Sequence, residues 1–314
     1  MAIITPALFL ASHHPYWKTL FTETAIQLFN YVYLVYVVVL PLYYMTLPPG
    51  YETKSRLFWR ALRHLPTRWP EPREKVAILA IVVKTFYLPL MLAWLLYHAI
   101  DIFSHASNWS VGDGIFPHLY WIAFNLVFLI DVGCFVVGYS LEHPRLGNEI
   151  RSVEPTVFGW IVCLACYPPF NQATQTLIGW SSREYPTYDS MWVQHIFGCL
   201  MLGLLSIYAW ASVALNWKAS NLTHRGVVDR GPYRWIRHPA YVSKNLAWWV
   251  GAIPVLMEQW RAGPSGLLYA VLSILLWSSL YYWRAITEER HLGRDPEYRL
   301  YAQRVRYRFI PGVW

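Results

Sequence analysis

Seven apolar runs divide the 314-residue chain, at roughly 25–46, 76–100, 116–141, 156–170, 192–215, 241–257 and 266–286. A helix needs about 20 predominantly apolar residues to cross the hydrocarbon core of a bilayer. Backbone in lipid must satisfy its own hydrogen bonds, so such runs restrict the chain to helical spans. The sequence therefore predicts an all-α fold, a polytopic membrane helical bundle of about seven transmembrane helices. The runs at 156–170 and 241–257 are short, and each suits a tilted or re-entrant helix or half of a helical hairpin. Composition agrees, with 56% apolar or aromatic residues and 14% charged, against about 25% charged in a soluble domain. Tyr43, Tyr44, Tyr120, Trp121, Tyr281, Tyr282 and Trp283 crowd the run ends, as rings that settle among headgroups do.

Lys and Arg in the connections set the orientation. Residues 52–75 hold seven of them and residues 101–115 none, so the first connection is expected in the cytoplasm and the second outside. The alternation continues with two in 142–155, one in 171–190, five in 216–239 and six after Ile286. This places the amino end outside and the carboxyl end in the cytoplasm. The net charge of +8 is then a topology signal. It gives no sign of nucleic acid as a partner, because the basic residues are divided among loops rather than gathered in one soluble module. Membrane lipids are the expected surroundings.

Cys134, Cys163, Cys166 and Cys199 all lie in apolar runs, where a thiol behaves as a small hydrophobe. Met1–Leu10 has no basic start and is broken by Pro6, so no cleavable signal is expected. Asn108-Trp109-Ser110 is a glycosylation triplet on the expected outer side. Lys84, Asn125, Asp131, Gln194 and His195 fall inside spans, where polar groups are costly and functional by default. A structural alternative is that Lys84 snorkels or pairs with Asp131.

Two stretches carry chemistry. In residues 221–245, Gly231-Pro232 marks a turn and Pro239 starts a span, a position that needs no N–H. Arg237, His238 and helix amides at that boundary suit an anion such as a carboxylate or phosphate; the alternative is a basic loop that only anchors the span. Beyond the last span, Glu288 and Glu289 suit a cation or a hydroxyl or amine donor. Here the alternative is a solvated ion-pair cluster with Arg284 and Arg290.

Gly231-Pro232-Tyr233-Arg234, Arg237-His238-Pro239-x-Tyr241, a helical hairpin, Glu288-Glu289 and Tyr298-x-x-Tyr301-x-x-Arg304-Val305 follow in order. This series resembles the integral-membrane methyltransferases of the isoprenylcysteine carboxyl methyltransferase and phospholipid methyltransferase group, over about residues 216–312. The resemblance implies S-adenosylmethionine as cofactor on the cytoplasmic side and a lipophilic substrate arriving from the bilayer. It implies that Arg237, His238 and Tyr241 hold the cofactor's methionine end, and that Tyr233 and Pro239 are also cofactor-binding. Glu288 and Glu289 correspond to paired glutamates at the cofactor, Glu289 also being a catalytic candidate, and Arg284 is a candidate for orienting a substrate oxyanion. No metal is implied. Ser243 stands where the group has Gly, Asp295-Pro296 replaces Phe-Gly, and Arg304-Val305-Arg306 replaces Arg-Val-Pro. Lys244 and Asn245 are candidate substrate contacts peculiar to this chain. Residues 191–314 are thus expected to form the cofactor-binding region, and residues 1–190 the amino-terminal transmembrane helices and wall of a substrate cavity.

Two other readings remain open in the sequence. The ending Arg304-Val305-Arg306-Tyr307-Arg308-Phe309-Ile310-Pro311 and the stretch Asn245-Leu246-Ala247-Trp248 also resemble NADPH-dependent sterol reductases. Those carry an Arg-Asp-Asp type motif where Glu288-Glu289 stands. A transporter or lipid-binding protein would instead line a pathway with Lys84, Asp131 and His195.

Overall fold

The structure, a computed structural model, describes residues 21–108 and 114–313. Met1–Leu10, and Trp109 and Ser110 of the glycosylation triplet, lie outside them. The helices are α1 (Glu23–Met45), α2 (Lys54–His64), α3 (Pro72–Ser107), α4 (Ile115–Ser140), α5 (Val157–Leu164), α6 (Phe170–Ile178), α7 (Met191–Leu215), α8 (Pro239–Ala262), α9 (Pro264–Leu292) and α10 (Pro296–Arg304). A two-residue antiparallel ladder, β1 (Ser152–Val153) with β2 (Thr223–His224), is the one departure from helix and turn among the described residues.

Among the described residues five helices, α1, α3, α4, α7 and α9, are long and apolar enough to cross a membrane, and the chain is an integral membrane protein. The run at 156–170 does not form one helix: α5 ends at Leu164 and α6 starts at Phe170, with Pro168 and Pro169 between them, where proline cannot continue an α-helix. α8 has 24 residues, but Lys244 and Asn245 near its start and Glu258, Gln259 and Arg261 near its end leave it without an uninterrupted apolar stretch as long as those of the five.

The chain divides into two compact units. The first takes in the described residues up to Tyr97 together with Val132–Val153 and Leu215–Gly226. Thr22 and Thr53 cap α1 and α2, their hydroxyls accepting from the Ala25 and Arg56 amides. Tyr87 stacks on Tyr139 at 5.4 Å, and the Tyr139 hydroxyl accepts from the Asn221 amide at 2.7 Å. Lys84 is buried and donates to Glu142 at 2.8 Å. Glu142 also takes Lys54 and, at 2.9 Å, the Ile150 amide. The partner of Lys84 is therefore Glu142 just beyond α4, not Asp131, because its long stem carries the ammonium toward the helix end. Burial alone would raise the Glu142 carboxyl, but Lys84, Lys54 and Arg225 outweigh it and hold the group well below the usual carboxylate range.

The second unit holds the described residues of His98–Asp131, Glu154–Ala214 and Val227–Trp314. Tyr120 and Phe124 from α4, Met201 and Leu205 from α7, and Ala247 and Val250 from α8 form its core. Tyr120 and Tyr281 are 1% and 6% exposed, so these two rings pack inside rather than sit among headgroups. α8 and α9 form the expected hairpin around Gly263, whose φ of +136° is open to glycine and few others. α9 also packs on α5 and α6. A small carboxyl-terminal core joins Tyr298, Tyr301 and Val305 to Val227 and Leu292. Asp131 is buried in this unit and accepts from Tyr208 at 2.7 Å and from Ser212.

Candidate functional site

The approach to α8 is a 3-10 turn over Gly231–Arg234. Gly231 has φ +58°, and a Cβ there would lie 2.9 Å from the Ala214 side chain, so glycine answers both the backbone and the space. Arg237 and His238 then run alongside the carboxyl tail, their amides donating to Tyr307 and Arg308 carbonyls at 3.0 and 3.1 Å. Pro239 opens the helix.

Glu289 closes this junction. One oxygen accepts from Arg237 Nε at 2.7 Å and lies 3.1 Å from His238 Nε2. The other accepts twice from Arg308, at 2.9 and 2.7 Å, hydrogen bonds that also raise the Arg308 guanidinium above its ordinary range. Arg237 Nη1 further donates to the Val305 and Arg306 carbonyls, each at 3.1 Å. Such charge-assisted bonds are the stronger kind, and here they latch the tail across the start of α8. Arg290 takes no part: it lies about 100° round the helix from Glu289 and pairs with Glu154 at 3.0 Å. The alternative of an ion-pair cluster that includes Arg290 is thus not what forms.

Glu288 has a different environment. Its side chain is 43% exposed against 13% for Glu289, and it accepts from the Tyr241 hydroxyl at 2.7 Å. His238 stacks on the Tyr241 ring at 5.3 Å, and Tyr241 meets Tyr281 edge-to-face at 5.4 Å. Two cations rest on these rings. The buried Arg284 guanidinium carbon lies 5.2 Å from the Tyr241 centroid and 4.8 Å from that of Tyr281. Lys244 Nζ lies 5.0 Å from the Tyr208 centroid, 5.8 Å from Trp248 and 5.9 Å from Tyr281. Ring faces attract a cation through their quadrupole without neutralising it.

Tyr241 and Tyr281 also line a cleft of about 540 Å³ between α8, α9 and the tail, together with Asn245, Trp249, Tyr282 and Phe309. This is the size and apolar character of a small-molecule site. Asn245 donates to the Tyr241 carbonyl at 2.8 Å, but its Oδ1 is buried without a donor, and a buried acceptor left so costs about 1–3 kcal/mol. The aromatic walls, with the half-exposed Glu288 bound to the Tyr241 hydroxyl beside them, fit a cofactor that carries amines, a flat base and a sulfonium.

The structure thus brings Arg237, His238 and Glu289 into one latch, sets Tyr241 and Asn245 along the cleft and ties Glu288 to the Tyr241 hydroxyl. It puts Lys244 and Arg284 together among the rings. It keeps Tyr233 and Pro239 apart from the cleft: Pro239 starts the helix, and the Tyr233 carbonyl accepts from Tyr301 at 2.9 Å. Sequence reasoning missed Tyr281, Tyr208 and Arg308. Tyr281 was legible, since Tyr281, Arg284 and Glu288 follow the i, i+3, i+7 spacing of one helix face. Tyr208 and Arg308 reach the site only by tertiary packing.

Residues 195–294 match the model of the Isoprenylcysteine carboxyl methyltransferase (ICMT) family. No curated protein matches the chain. The matched stretch contains most of α7 and all of α8 and α9, which carry Tyr208, Lys244, Arg284 and both glutamates, and the family uses S-adenosylmethionine. The likeness to that family is confined to residues 195–294, about a third of the chain.

Proposed function

We propose that this protein transfers a methyl group from S-adenosylmethionine to the carboxylate of a lipophilic acceptor of the isoprenylated cysteine type. The observation that carries the reading is the placement of Arg284 and Lys244 on the rings of Tyr241, Tyr281 and Tyr208, one ring away from the cleft. Among the described residues Lys244 makes no ion pair, so its charge is available to an incoming anion. A carboxylate suits two such cations better than an amine or thiol does.

The cofactor supplies an activated methyl group on a positive sulfonium. Glu288 and Asn245 hold its amines, and the rings of Tyr241, Tyr282 and Phe309 flank it. Resident cations repel a sulfonium and Glu288 attracts it, so charge alone separates the cofactor's place from the acceptor's. Arg284 and Lys244 keep the acceptor ionised and oriented, and the apolar walls keep water away. No base is needed, because a carboxylate attacks without losing a proton. Esterification removes the acceptor's charge and with it the attraction of both cations, which favours release. Arg237, His238 and Glu289 act as positioning residues that hold the tail carrying Phe309 against the cleft.

The test is a radiolabelled methyl-transfer assay on the purified protein with an S-prenylated cysteine, its amide and an unprenylated cysteine derivative. Base-labile methyl ester from the first alone is the expected result. Methylation of the amide equal to that of the acid would overturn the carboxylate assignment, and thermal stabilisation by NADP but not by S-adenosylhomocysteine would overturn the methyltransferase reading.

A further inference from the structure

The first unit carries a second charged site that the methyl transfer does not use. Its residues 52–75, α2 and the first turn of α3, hold seven Lys and Arg against Glu52, Glu71 and Glu74. The three acids are taken up locally. Arg60 reaches Glu52 at 2.6 Å and Glu74 at 2.8 Å, Arg68 reaches Glu74 at 2.8 Å, and Glu71 lies within 4 Å of both. Arg56 and Arg63, on exposed turns of α2, have no acidic partner among the described residues. They line a groove of about 770 Å³ together with His64, Trp59 and Tyr44.

The place of this groove follows from the chain path. α1 ends at Met45 and α3 starts at Pro72, both candidate spans, so α2 lies where they meet the headgroup layer. Leu57 and Ala61 are buried against the unit, whereas Trp59 is 55% and Trp69 86% exposed. A basic amphipathic helix with exposed tryptophan is suited to the interface between headgroups and acyl chains. A polybasic protein segment would be repelled here, and a free anion would gain nothing from the exposed rings. We propose that Arg56, Arg63 and His64 bind the phosphate headgroup of one anionic glycerophospholipid, with Trp59 against its glycerol and upper acyl region.

The experiment uses the full chain in nanodiscs of phosphatidylcholine containing phosphatidic acid, followed by detergent release and native mass spectrometry. Retention of one phosphatidic acid per chain in preference to phosphatidylcholine is expected. The Arg56→Gln/Arg63→Gln double variant should lose that preference by on the order of tenfold or more, since each basic residue near an anionic surface contributes about a factor of five. Arg261→Gln, an exposed arginine elsewhere, should keep it, and unchanged thermal unfolding of the double variant shows that the loss is not misfolding. Equal retention of phosphatidylcholine, equal loss in Arg261→Gln, or displacement of the lipid by millimolar inorganic phosphate would overturn the proposal.

Discussion

Lys84 and Lys244 are both lysines in long helices of this protein, and they end in opposite circumstances. Lys84 is buried 2.8 Å from Glu142, a carboxylate shared with Lys54 and a backbone amide. Lys244 rests on the rings of Tyr208, Trp248 and Tyr281, with no ion pair among the described residues. The first arrangement is complete, so it contributes to the fold and has nothing to offer a ligand. The second keeps its charge, and Arg284 likewise lies over rings, those of Tyr241 and Tyr281. How a buried cation is balanced therefore says more about its role than its depth does.

The sharpest way to break this contrast is to remove the charge at Arg284. Arg284→Gln should lower kcat/KM for the acceptor by about 10²–10³, the effect of deleting one positioned donor, with Arg284→Lys recovering part of it. Next in size, Lys84→Met strands Glu142 with fewer counter-charges and should cost about 3 kcal/mol of stability, visible as a lowered Tm in detergent. Turnover per folded molecule should stay near wild type; if it collapses instead, the distinction between the two lysines fails. Lys244→Met should raise the acceptor KM by about tenfold, close to the effect of one charge-assisted hydrogen bond, and leave the cofactor KM unchanged. Tyr241→Phe removes the hydroxyl on Glu288 and should raise the cofactor KM by about fivefold, or about 1 kcal/mol. The smallest effect is a pH slope. The Glu142 carboxyl is depressed in the folded state, so its stabilisation is fully present above the unfolded value of about 4.3 and is lost as pH falls through the folded one. Wild type should therefore show no Glu142-dependent change in Tm from pH 7 to pH 5 and a steeper acid loss below that than Glu142→Gln.

The two regions also differ in what could be read beforehand. Arg237, His238, Tyr241, Glu288 and Glu289 stand in a fixed order on either side of a hairpin, and that order was visible without coordinates. The fates of the two glutamates were not. They are consecutive, yet Glu289 faces Arg237 and Arg308 while Glu288 faces Tyr241, because each residue turns the side chain about 100° round the helix. Lys84 was visible as an intramembrane charge, but Asp131 had equal claim to it until the path of α4 put Glu142 within reach. The run at 156–170 was apolar enough to suggest a span, and only the break at Pro168 and Pro169 divided it between α5 and α6.

The sequence by itself determined that the chain is helical and membrane-embedded, because lipid permits long apolar segments almost no other backbone. It also carried the likeness of the carboxyl-terminal region to a methyltransferase family, because that chemistry needs particular side chains at helix ends in a particular order. The tertiary structure alone decided which charges neutralise one another and which are left on aromatic faces. That outcome depends on helix rotation and on residues far apart in sequence, such as Tyr208 beside Lys244 and Arg308 beside Glu289, which no local pattern can bring together.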